Sequence, residues 1–141
     1  MRTRSLILAV LVIFAALPAE AEKWKQLRKS EEVELWIDLD SVKVKEGEGV
    51  LDYRVDYRAP QKEHGSDRTY KSTKTRAIVR CPPRAIKFGP TVAFEGPRLA
   101  GKLVGRYPPA PEEARFQPVE RGSSDETLWH YVCHVATVIP K

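Results

Sequence analysis

The most regular feature of the chain is a period of two. Between Glu32 and Asp40, Val33, Leu35, Ile37 and Leu39 fall on one side, and Glu34, Trp36, Asp38 and Asp40 on the other. That alternation predicts a half-buried strand. It is clearer over 51–58, where Leu51, Tyr53, Val55 and Tyr57 interleave with Asp52, Arg54, Asp56 and Arg58. Acid and base succeed one another on the charged side, which predicts a solvated face that discourages register slips and not a catalytic array of carboxylates. Lys45-Glu46-Gly47-Glu48-Gly49 reads as the hairpin connection between the two strands. Gln61 to Asp67, with Gly65, marks a turn before a further strand from Thr69 to Cys81. There Thr73, Thr75, Ala77, Val79 and Cys81 share a face, with Lys74, Arg76 and Arg80 opposite, so Cys81 points to the core side.

Pro82-Pro83 ends that strand because neither residue can donate to a ladder. Later strands are expected over 85–94 and 99–107, interrupted by Gly89-Pro90 and Gly96-Pro97, and Tyr107 to Pro111 reads as a stiff, extended linker. The one helical pattern covers 123–136. Ser123 stands as N-cap with Glu126 three residues on to complete a capping box, and Asp125 adds a favourable charge in the first turn. On a helical wheel Leu128, Trp129, Val132 and Ala136 gather on one side, with Cys133 at its edge. The expected fold is α+β: an antiparallel sheet of about five or six strands with a C-terminal helix packed on one face.

The N-terminal segment changes the context. Arg2 and Arg4 precede an uncharged apolar run of twelve residues, Leu6 to Leu17, and Pro18-Ala19-Glu20-Ala21 supplies small residues for cleavage. This is the layout of a secretory signal over 1–21, and the run is shorter than the roughly 20 residues a membrane span needs. No cysteine follows it where lipidation would require one. The expectation is a single domain over 22–141, exported from the cytoplasm, without lipid anchor or stable transmembrane insertion. Both cysteines lie in the mature part, and an even count in an exported chain is most simply read as one bridge, Cys81 to Cys133. Two free thiols or a redox pair are the competing readings, although a redox pair usually has two residues between its sulfurs. Such a bridge would tie the helix across the core face of the sheet.

The formal charge of +5 falls to +4 when Arg2, Arg4 and Glu20 leave with the signal. Export argues against nucleic acid and leaves acidic surface polymers or acidic proteins as partners for a basic chain. Catalysis has little to stand on. The serines lack a nucleophile elbow, Ser123 is spent on capping, His64 falls in a polar turn, and the glycines form no phosphate loop. His130, His134 and Glu126 share a helical stripe that could in principle face a metal, but a wet helix face explains them more simply. The expectation is therefore no enzyme, no cofactor and no metal. Arg84, Lys87, Arg98, Lys102 and Arg106 accompany Phe88, Phe94 and Tyr107 in the proline-rich second half. That mixture suits contact with acidic protein or polysaccharide, so Arg84, Lys87, Arg98, Lys102, Arg106 and Tyr107 are the candidate binding residues.

Trp24, the Ile37-Asp38-Leu39-Asp40-Ser41-Val42 stretch with its Asp-x-x-Ser-apolar step, the central Cys81, and Gly122-Ser123 followed by Leu128 and Cys133 occur in an order that resembles the surface-adhesin protein E family of bacterial exported proteins. The resemblance spans nearly the whole mature chain. It implies an antiparallel sheet with a C-terminal helix tethered by a disulfide, exposure at a Gram-negative surface, and binding of host extracellular-matrix or plasma proteins. Two departures stand out: Arg121-Gly122-Ser123 where Pro-Gly-Ser is expected, and the missing lipidation cysteine. The second points to the alternative of a periplasmic structural or envelope-maintenance domain without a host ligand. The residues leave monomer and homodimer open.

Overall fold

The computed structural model describes residues 23–137. The signal over 1–21 lies outside the described residues.

Alternation becomes structure most directly in two long strands, β4 (Glu48–Lys62) and β5 (Thr69–Arg80). Their antiparallel register sets Leu51 opposite Ala77 and Tyr53 opposite Thr75, so the apolar sides of both strands coincide. Around this pair lie β1 (Trp24–Lys29), β2 (Val33–Asp38), β3 (Lys43–Lys45), β6 (Ala85–Phe94), β7 (Leu103–Tyr107) and β8 (Gln117–Pro118). The main order is β1-β2-β4-β5-β6-β7, with β3 paired to the start of β4 and β8 to the start of β6. Among the described residues eight strands thus replace the five or six expected, the extra ones being short or at the sheet margin.

Two expected strands are trimmed for local reasons. The one predicted to reach Asp40 stops at Asp38, whose carboxylate accepts the Asp40 N–H at 3.0 Å and starts a short 3₁₀ turn. Leu39, expected in the core, is consequently exposed. The Ser41 hydroxyl closes this turn by donating to Asp38 O and accepting the Asp52 N–H, both at 2.7 Å. The Asp-x-x-Ser step is therefore a clamp between β2 and β4. The strand expected from residue 99 begins only at Leu103, because Arg98 and Leu99 take left-handed conformations (φ 55° and 61°) and Gly101 follows at 79°. Gly89-Pro90, by contrast, does not break β6. The register slips by one residue opposite Arg76, and Pro90, which has no N–H, sits in that bulge.

The helix α1 (Ser124–His130) starts as the sequence indicated, with Ser123 Oγ accepting the Glu126 N–H at 3.2 Å. It continues over Tyr131–Ala136 as a wider π-type helix. The change of pitch turns Tyr131 into the core beside Leu128 and Val132, a position the regular wheel did not give it. These side chains meet Leu35, Ile37, Leu51, Ala77, Val79 and Ile86 from the sheet. Each fully buried aliphatic there contributes roughly 1.5–3 kcal/mol. The helix comes close at Gly49, since a Cβ on it would overlap Val132 Cγ1. Cys81 and Cys133 are bonded, with Cα atoms 5.6 Å apart at a sequence separation of 52.

Candidate functional site

The helix covers one face of the sheet, and the other face is organised differently. Arg54 was expected on a solvated charged side, yet it is only 3% exposed, and Asp56 only 8%. The sheet register explains this correction. Arg54 lies beside Trp36 on β2, and Trp24 on β1 is two positions along the same face. Its guanidinium lies 4.7 Å from the Trp24 ring centroid and 5.0 Å from that of Trp36, while Nε donates to Asp56 Oδ2 at 3.0 Å. The Lys74 ammonium also approaches Trp24, at 5.7 Å, and Asp52 takes a two-pronged bond from Arg76 at 2.8 and 3.1 Å. Aromatic rings and paired charges thus replace a second layer of helix. The available signal was the placement of Trp24 and Trp36 on otherwise polar strand faces, where a ring needs a partner.

The second carboxylate oxygen of Asp56 reaches the turn before β7. Arg98 donates its N–H to Asp56 Oδ1 at 2.8 Å, and Leu99 donates its own to Ser72 Oγ at 2.9 Å. Ser72 in turn donates to Gly96 O at 2.6 Å. Buried polar groups on β4 and β5 therefore hold two adjacent non-glycine residues in left-handed backbone, a geometry that costs roughly 1–2 kcal/mol per residue.

The six candidate binding residues do not form one patch. Arg84 and Lys87 stand at the start of β6. Arg84 pairs with Glu126 and lies over the Trp129 ring at 4.4 Å, and Lys87 and Arg80 both lie against the Phe116 ring, at 4.7 and 3.8 Å from its centroid. Both are thus engaged in holding the helix and the 111–118 segment against the sheet. Arg98 and Lys102 follow the far end of β6, roughly 30 Å away at about 3.3 Å per residue. Arg106 is exposed on β7, the outer strand at that margin. Lys102 and Arg106 have no ion-pair partner among the described residues. Between them Leu103 is 57% exposed. Tyr107 departs from the group, because its ring folds back over Gly105, where a Cβ would meet its Oη at 2.5 Å. Burial first, and then the Glu63 carboxylate, push its phenol up.

The helical stripe of His130, His134 and Glu126 does not converge. The two imidazoles stack with centroids 5.0 Å apart, while the Glu126 carboxylate turns to Arg84. No group of three metal-ligating side chains occurs among the described residues, and none of their helices is long and apolar enough to cross a membrane.

Fold and staple together define a small α+β domain in which one helix is bonded onto an antiparallel sheet, the opposite face is closed by indoles and paired charges, and a basic margin is left to solvent. The chain belongs to the surface-adhesin protein E family, whose sequence model matches residues 24–134. Among solved structures it is similar to protein E from non-typeable Haemophilus influenzae, with a TM-score of 0.56 at 15% identity over 83% of this chain and 80% of that one. Crystal form II of Haemophilus influenzae protein E gives 0.55 at 14% identity over 70% and 79%. The selenomethionine form gives 0.54 at 14% identity over 70% and 78%. At such identities these structures speak to the fold, and they agree on it. No curated protein sequence matches the chain. The family is one of surface adhesins, and an exported or cell-surface protein is the class to which this chain is thereby assigned.

Proposed function

We propose that this chain is a non-enzymatic binding module that works at the bacterial surface or in the periplasm, and that it engages an acidic partner, a host matrix or plasma protein or an acidic surface polymer, along strand β7. The observation that supports this most is the character of that margin. An outermost strand offers unpaired backbone groups to an incoming segment, and natural edges are usually guarded against such pairing. Here Leu103 stands exposed between Lys102 and Arg106. Two cations beside an apolar side chain and a free ladder favour an extended acidic segment, whose charges steer encounter and whose backbone completes the sheet.

The test is made on cells. Bacteria expressing the full chain should bind immobilised matrix or plasma proteins, lose that binding when the gene is removed, and lose the protein to protease added outside intact cells. A protein protected in intact cells and released only by opening the periplasm, with no effect of its removal on binding, would overturn the adhesive reading in favour of an envelope-maintenance role.

A further inference from the structure

We propose that the cleft beside the strained 97–99 turn binds a carboxylate-bearing sugar, an acidic pyranose at the end or within the chain of a glycan. The cleft has a volume of about 330 Å³, at the lower end of the range for small-ligand sites. Trp36 and Pro97 line it with apolar surface, and Arg58, Arg98 and Glu32 with charge. Its other acids are already occupied: Glu34 accepts from Trp36 Nε1 at 3.2 Å and lies 3.5 Å from Lys29, and Asp56 is held by Arg54 and the Arg98 N–H. Neither the Arg58 nor the Arg98 guanidinium has an ion-pair partner among the described residues.

The ligand class follows from this inventory. Two unpartnered guanidiniums suit a planar carboxylate, which they can grip through paired N–H groups. An indole and a proline suit the C–H face of a pyranose, and the Glu32 carboxylate can accept from sugar hydroxyls while repelling a second negative charge. An acidic peptide matches the arginines but leaves Glu32 opposed. The backbone gives an independent pointer. Arg98 is carried on a left-handed residue followed by a second one, and strain of this kind persists where the surrounding structure over-determines it, often at binding sites. Asp56 and Ser72 supply that determination from the sheet. The site is distinct from the β7 margin, since it uses neither Lys102 nor Arg106.

The experiment follows the tryptophan indole N–H signals of the exported, oxidised protein by nitrogen-15 NMR during titration with sialyllactose, with trigalacturonic acid, and with lactose as the neutral control. Saturable shifts of the Trp36 signal with an acidic sugar and not with lactose are expected, and whichever acid binds names the source. Arg58→Gln and Arg98→Gly should each weaken that binding by about tenfold, the scale of one charge-assisted contact. Glycine accepts the left-handed backbone at position 98, so a urea midpoint no lower than the parent's will show that loss of folding is not the cause. Lys102→Glu with Arg106→Glu should leave the sugar affinity unchanged, which separates this site from the adhesive margin. The proposal is overturned by equal shifts with lactose, by no saturable shift at tens of millimolar, by full affinity in both arginine variants, or by a glutamate-rich peptide that binds the cleft more tightly than either acidic sugar.

Discussion

Replacing Gly49 by alanine sets two effects of opposite sign against each other. In an open strand the change would stabilise by about 0.5–1 kcal/mol, because glycine loses more backbone freedom on folding than alanine. Gly49 is not in an open strand. The added methyl would overlap Val132 Cγ1, and Val132 is fully buried and carried on a helix bonded to the sheet one residue further on, at Cys133. Overpacking of this kind costs about 1–3 kcal/mol, more where the neighbours cannot retreat. Sterics should therefore prevail, with a net loss of about 1–2 kcal/mol. For a domain of this size that corresponds to a fall in melting temperature of roughly 4–8 °C. Val132→Ala should also destabilise, by leaving a gap. In the double variant the two changes should compensate, the new methyl filling part of the space released, so the combined loss is smaller than the sum by about 1 kcal/mol. Urea denaturation of the oxidised protein, followed by far-ultraviolet circular dichroism, measures all three. A Gly49→Ala protein as stable as the parent, or losses that simply add, would refute the close approach of helix and strand.

Other consequences follow from the same structure. Changing both Cys81 and Cys133 to serine should lower stability by about 4 kcal/mol, the loop-closure value for a 52-residue separation, and an unaltered urea midpoint would show that the bridge restrains nothing. Arg54→Ala strips Asp56 of its buried partner and leaves two indoles unfilled, so a loss of about 3–5 kcal/mol is expected in the same assay; under 1 kcal/mol would mean that the face is solvated after all. Burial pushes the Tyr53 phenol well above its ordinary value, an effect only partly offset by a hydrogen bond with Thr75. Because the folded protein holds that proton more tightly than the unfolded chain does, the contribution of Tyr53 is complete below roughly pH 10 and is lost as the pH rises further. Tyr53→Phe should flatten the fall in stability above pH 10, and phenolate absorbance showing Tyr53 ionised at pH 10 in the folded state would contradict the assignment.

What could be read from the chain follows the strength of each local signal. Strands β4 and β5 were legible because their alternation is long, and the helix start because Ser123 does the capping its position suggested. Strand β1 was missed. Lys25, Gln26, Arg28 and Lys29 leave it only Trp24 and Leu27 as apolar positions, and a register irregularity between Gln26 and Arg28 breaks the period. Charged residues of this kind are what an edge strand carries to resist unwanted pairing, so the signal that hides β1 is part of its role. Arg54 misled for a related reason, since an arginine between acids reads as surface until two indoles from neighbouring strands enclose it. The basic residues from Arg84 to Arg106 looked like one group because they are close in sequence. The extended length of β6 divides them, giving Arg84 to the helix, Lys87 to the Phe116 ring of the 111–118 segment, Arg98 to the cleft, and Lys102 and Arg106 to the margin.

That division can be measured at the function itself. Lys102→Glu with Arg106→Glu, compared with Lys87→Glu at the opposite end of β6, should be assayed for binding to immobilised matrix and plasma proteins across a range of salt. The account predicts that the double change weakens binding roughly tenfold or more at low ionic strength, with the difference shrinking as salt rises, while Lys87→Glu leaves it near the parent value. Undiminished binding in the double variant, or an equal loss from Lys87→Glu, would contradict it.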